Sequence, residues 1–109
     1  MDNQQHVPAA SATARKALAE VRRIVLEVIG SENATIYLFG SWARGEATRA
    51  SDIDIAIEPL ADLPRGAFAH LRERLEESHV PYRVDVIDLR RTDPAFRRRV
   101  LTEGIPWND

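Results

Sequence analysis

Gly40-Ser41-Trp42-Ala43-Arg44-Gly45-Glu46-Ala47-Thr48-Arg49-Ala50-Ser51-Asp52-Ile53-Asp54 joins two apolar runs, Ile36-Tyr37-Leu38-Phe39 ahead of it and Ile55-Ala56-Ile57 behind it. The first run belongs to a strand from Ala34 to Phe39, and the second to a strand from Asp52 to Ile57, closed by Pro59. Charges are rarely buried unless paired or bound to a metal, so two aspartates inside an isoleucine-rich strand demand a reason. Alternation puts Asp52 and Asp54 on one face and Ile53, Ile55 and Ile57 on the other, where they can pack on helices. Adjacent carboxylates repel unless a cation lies between them. Hard oxygen ligands, in a chain that has no cysteine, suit Mg²⁺ or Mn²⁺. Upstream, Gly40 lets the backbone approach a ligand, and Ser41 opens about one helical turn whose N–H groups and hydroxyl suit a phosphate. The stretch reads as a site for a metal–nucleoside triphosphate.

Working outward, Ala14, Ala17, Leu18, Val21, Ile24, Val25, Val28 and Ile29 recur at helical spacing and predict an amphipathic helix from Ser11 or Thr13 to Gly30. Residues 1–10 carry little pattern and read as a flexible lead-in; residues 11–109 read as a single domain. Phe68, Leu71 and Leu75 share one face of a helix expected over Pro64–Ser78, with Arg72 and Glu76 paired on another. Pro81–Leu89 reads as a third strand. Asp93 then caps a closing helix with Pro94 at its first position, and the helix runs to Glu103 ahead of Gly104.

The expected order is α-β-α-β-α-β-α, an α/β (α+β) domain with a small mixed sheet and flanking helices. Ser41 follows the end of the first strand and Asp52 begins the second, so a shared site requires those strands to run antiparallel. The third strand, reached through a helix, is then parallel to one of them.

Fifteen lysines and arginines against seventeen acidic residues give a net charge of −2. That balance argues against duplex-DNA binding, which depends on neutralising many phosphates. The absence of cysteine fits a reducing compartment, and no apolar run approaches membrane-spanning length, so the expectation is a soluble, cytoplasmic protein.

Gly40-Ser41, ten residues, then Asp52-x-Asp54 resembles the signature of the polymerase-β-like nucleotidyltransferases. Within that superfamily, Gly40-Ser41-Trp42-Ala43-Arg44-Gly45 followed by Ser51-Asp52-Ile53-Asp54 looks like the minimal nucleotidyltransferases (MNT) that accompany HEPN-domain partners. The resemblance runs from about Ile36 to Gly104. It implies transfer of AMP from ATP to a hydroxyl, with a tyrosine of a HEPN-type toxin as acceptor and the chain as its antitoxin. Two Mg²⁺ or Mn²⁺ ions, about 3.5–4 Å apart, would serve both ends of the displacement. Asp52 and Asp54 would hold them, Gly40, Ser41 and Arg44 would bind the nucleotide's phosphates, and a third carboxylate would complete the metal site and help remove the acceptor's proton.

Asp85 and Asp88 compete for that third role; an odd separation puts them on opposite faces of a strand. The family pattern aligns with Asp85. Two other readings stay open: an antitoxin that neutralises its partner by complex formation alone, and nucleotidyl transfer to RNA or a small molecule.

The remaining conspicuous residues have plainer readings. Trp42 is expected to pack, and His6, His70 and His79 stand alone without metal-ligand spacing. Arg90, Arg91, Arg97, Arg98 and Arg99 read as a solvated face, with docking to an acidic partner as the minority reading. Ile105-Pro106-Trp107 is expected to fold back on the sheet.

Overall fold

The computed structural model describes residues 11–108, so the lead-in expected over residues 1–10, with His6, lies outside the described residues. Helix α1 spans Ala12–Ile29, and the Ser11 hydroxyl accepts the Ala14 N–H at 3.0 Å, satisfying one donor of its first turn. Strand β1 is Ala34–Phe39, α2 is the single turn Ser41–Arg44, and β2 is Ile53–Pro59. Helix α3 covers Ala67–Glu76, β3 covers Val84–Asp88, a 3₁₀ turn covers Leu89–Arg91, α4 covers Pro94–Glu103 and β4 is Ile105–Pro106.

The sheet order is β3-β2-β1-β4. As the site argument requires, β1 and β2 are antiparallel, and β3 joins β2 in parallel. Ile36, Leu38, Ile53, Ile55, Ile57 and Val86 face α1 and α3, where Val21, Val25, Leu71 and Leu75 complete the main core. The opposite face carries Ala56 beneath Leu89 and Val100, with Phe39 and the Phe96 ring of α4 edge to face at 5.6 Å. Among the described residues, no helix is long and apolar enough to cross a membrane.

Several boundaries move, each for a local reason. Strand β2 starts at Ile53, because Asp52 follows a turn in which the Ser51 hydroxyl accepts the Thr48 N–H at 2.9 Å and the Ser51 N–H returns to the Thr48 carbonyl at 3.0 Å. Pro59 lies inside the strand, opposite Ala34 at its end, where a missing donor costs little. Helix α3 begins only after Gly66, whose φ of +79° is left-handed and cannot continue a helix.

The expected Arg72–Glu76 pair does not form. Arg72 instead donates to the Val86 carbonyl at 2.9 Å and lies over the Phe68 ring, so it ties α3 to β3. Strand β3 begins at Val84 rather than Pro81, and it ends one residue early because the Asp88 carboxylate accepts the Arg90 N–H and turns the chain into the 3₁₀ segment. His70 and His79 are both exposed.

The tail does return to the sheet, and as a fourth strand. Ile105 pairs with Leu38 and Pro106 with Tyr37, and the Trp107 N–H reaches the Ile36 carbonyl at 2.8 Å. Asn108 extends this edge with its side chain: Oδ1 accepts the Ile36 N–H, while Nδ2 donates to the Ser31 and Ala34 carbonyls. Replacing Asn108 by Ala strands the Ile36 donor and is expected to cost about 1–3 kcal/mol. Urea unfolding measures this, and a midpoint equal to wild type would show that water replaces the amide.

Candidate active site

The register of β1 and β2 sets Phe39 opposite Asp54, so the next residue, Gly40, lies against the Asp54 carboxyl group. A Cβ at position 40 would stand 2.3 Å from Asp54 Oδ2, and Gly40 has φ of +76°. The positive φ favours glycine whatever the space, and a Cβ here would in addition push the Asp54 carboxylate aside. Ser41 follows as the first residue of α2, and the Ala43 and Arg44 N–H groups turn back to the Gly40 carbonyl, each at 3.1 Å.

On the other side of β2, Asp85 is the direct parallel partner of Asp54. Paired residues of adjacent strands point to the same face, so these two carboxylates are neighbours. Asp52, one residue ahead of the strand, is close enough for its charge to act on Asp54. Burial, then the charge of Asp85, then that of Asp52, raise the Asp54 pKa from 3.8 to about 6, and Arg44 offsets them only partly.

Asp88 has the opposite environment. It pairs with Ile57, on the core side of the sheet, and is only 8% exposed. Burial alone would raise its pKa, but hydrogen bonds from Arg90 through Nε, NH2 and the backbone, with the charge of Arg91, hold it below the ordinary value. It is a structural cap enclosed by arginines, whereas Asp85 is exposed.

The remaining candidates divide. Arg44 is exposed and its Nε donates to Glu46 at 2.8 Å, yet its charge still reaches Asp54. Trp42 is buried: its indole N–H meets the Ser51 carbonyl at 3.3 Å and its ring stands edge to face on Tyr82, with centroids 4.8 Å apart. Sequence reasoning missed a hollow of about 60 Å³ behind Gly40, where Phe39 and Arg44 meet Phe96, Arg99 and Glu103 of α4. Only the i, i+3, i+7 spacing of those α4 residues hinted at a common face.

Among the described residues, no three His, Cys, Asp or Glu side chains converge closely enough to hold an ion as they stand. The donor set nevertheless suits a hard divalent cation. All its ligands are carboxylates, and among the described residues Asp52, Asp54 and Asp85 form no ion pair, while burial first and its acidic neighbours second raise the Asp54 pKa.

The family model described as polymerase beta, nucleotidyltransferase, matches residues 28–106. The "Probable protein adenylyltransferase MntA" of Haemophilus influenzae is 39% identical over 83 residues, covering 73% of this chain and 68% of its own. A crystal structure of a toxin–antitoxin with AMP-PNP includes a chain that is 30% identical, with a TM-score of 0.62 over 79% of this chain and 71% of that one. A chain from the structure of tri-AMPylated Shewanella oneidensis HEPN toxin in complex with MNT antitoxin aligns with a TM-score of 0.61 and 27% identity, over 85% and 70% of the two chains.

The raised Asp54 pKa has a thermodynamic consequence. The folded state holds the Asp54 proton more tightly than the unfolded state does, so stability falls as pH rises through the window from about 4 to about 6. Asp54→Asn removes that penalty, so in metal-free buffer its melting temperature should exceed wild type at pH 7.5 and approach it at pH 4. A gap of the same size at both pH values would show that Asp54 is not the strained carboxylate. Gly40→Ala should lower the melting temperature at every pH, because its clash is steric.

Proposed function

The chain belongs to the polymerase beta nucleotidyltransferase family, and from that premise we propose that it transfers AMP from ATP to a tyrosine hydroxyl of a HEPN-type toxin, acting as its antitoxin. The observation that carries this reading is the pairing of Asp54 with Asp85 across β2 and β3, beside a glycine whose positive φ strains any side chain. A related chain in a toxin–antitoxin structure with AMP-PNP, and another in a complex with a tri-AMPylated HEPN toxin, support the choice of nucleotide and acceptor. ATP as substrate puts the reaction in the cytoplasm.

In this reading Asp52, Asp54 and Asp85 hold divalent cations, Mg²⁺ or Mn²⁺, which when bound neutralise the triphosphate and the developing pyrophosphate charge. Asp85, on the outer strand, takes the acceptor side and receives the proton of the tyrosine hydroxyl. The acceptor oxygen bonds to the α-phosphorus as the bond from that phosphorus to the bridging oxygen breaks, and pyrophosphate leaves. Gly40 lets the backbone lie against the β- and γ-phosphates, while the Ser41 hydroxyl donates to them. Arg44 supplies further positive charge once phosphate competes with Glu46 for its guanidinium.

Mass spectrometry of a co-purified HEPN partner, incubated with ATP and Mg²⁺, tests the proposal by looking for added AMP. Asp52→Asn, Asp54→Asn and Asp85→Asn should each slow transfer by at least about 10²-fold, the scale seen when one charge-stabilising group is lost from an active site. Asp88→Asn should mainly lower stability. An unmodified partner, or neutralisation that survives Asp52→Asn with Asp54→Asn, would favour simple complex formation.

A further inference from the structure

Three consecutive arginines of α4 point in three directions, about 100° apart around the helix. Arg97 is committed to Glu58, its Nε donating at 3.2 Å and a terminal nitrogen making a second contact. Arg98 lines a separate hollow, beside Arg90 and Thr92. Arg99 shares a face with Phe96 and Glu103 and lines the hollow against Gly40 and Arg44. Among the described residues Arg99 forms no ion pair, whereas Arg44 is bonded to Glu46 and lies in the field of Glu103 and Asp54.

In an in-line displacement the attacking and leaving oxygens lie on opposite sides of the phosphorus. The strand order places Asp85 on one side of Asp54 and Gly40 on the other. An acceptor beside Asp85 therefore requires the departing pyrophosphate to lie toward Gly40 and, beyond it, α4. Arg44 of that hollow is already bonded to Glu46, so among the described residues Arg99 is its arginine without an ion pair. A guanidinium is suited to that end of the nucleotide because its fork can hold two phosphate oxygens at once.

We propose that Arg99 binds the β- and γ-phosphates of the nucleoside triphosphate from α4, behind Gly40, with Glu103 moderating the charge so that pyrophosphate can depart. This inference rests on the nucleotidyltransferase reading of the site. It makes α4 part of the nucleotide site as well as a cover for the sheet.

The test is the affinity of the full chain for AMP-PNP and for AMP, measured by calorimetry in Mg²⁺ for wild type, Arg99→Ala, Arg99→Lys, Arg98→Ala and Glu103→Gln. Arg99→Ala should weaken AMP-PNP about tenfold while leaving AMP unchanged, the scale of one charged hydrogen bond. Arg99→Lys should recover only part of the affinity, because an ammonium keeps the charge but not the two-oxygen fork, Arg98→Ala should match wild type, and Glu103→Gln should bind AMP-PNP more tightly. Undiminished AMP-PNP binding by Arg99→Ala, or an equal loss for AMP, would overturn the role of Arg99 alone. A wild-type chain that bound no AMP-PNP would remove the nucleotidyltransferase reading and this inference together. Arg99 is exposed, so its variants should keep the wild-type melting temperature.

Discussion

The antiparallel register of β1 on β2 is the constraint on which everything else depends. Ile36 faces Ile57, Leu38 faces Ile55 and Phe39 faces Asp54, so one set of apolar contacts fixes how far the first strand runs before the chain turns. A slip of a single residue would move the isoleucines to the other face and carry Gly40 away from the carboxylate. The fully buried isoleucines therefore specify where Gly40 meets Asp54 as well as the core.

Two aspartates of one short strand show how the same side chain acquires opposite roles. Asp88 lies on the core side, nearly buried, and survives there because arginines and a backbone N–H surround its oxygens. Asp85 lies on the other face beside Asp54, where the nearest company is acidic. Repulsion among like charges at the end of an apolar sheet is a standing electrostatic cost, and it is the kind of strain that concentrates at functional sites. A cation would relieve it.

The elements most legible in the sequence were those set by periodicity. The eighteen-residue α1 and the six-residue β1 follow from apolar spacing and from stops at Gly30 and Gly40. The parity of 85 and 88 foretold that only one of these aspartates could join Asp54, and the family pattern pointed to Asp85. What periodicity could not carry was local side-chain chemistry. The Thr48–Ser51 turn holds Asp52 out of the strand, Arg72 prefers a carbonyl of β3 to Glu76 one turn away, and Asn108 mimics a strand. Strand β4 has only two residues, too few for alternation to register. The separate fates of Arg97, Arg98 and Arg99 depend on how α4 is rotated against the sheet, which its own spacing only hinted at.

The indole of Trp42 touches both Ser51, just ahead of Asp52, and Tyr82, just ahead of β3. One ring thus gauges the gap between the turn that carries Ser41 and the strand that carries Asp85. Such a spacer sets the width of the aspartate corner in advance, and a ligand entering a preset corner loses less rotational freedom on binding. The dimensions of that corner are thus inherited from the packing of Trp42 on Tyr82.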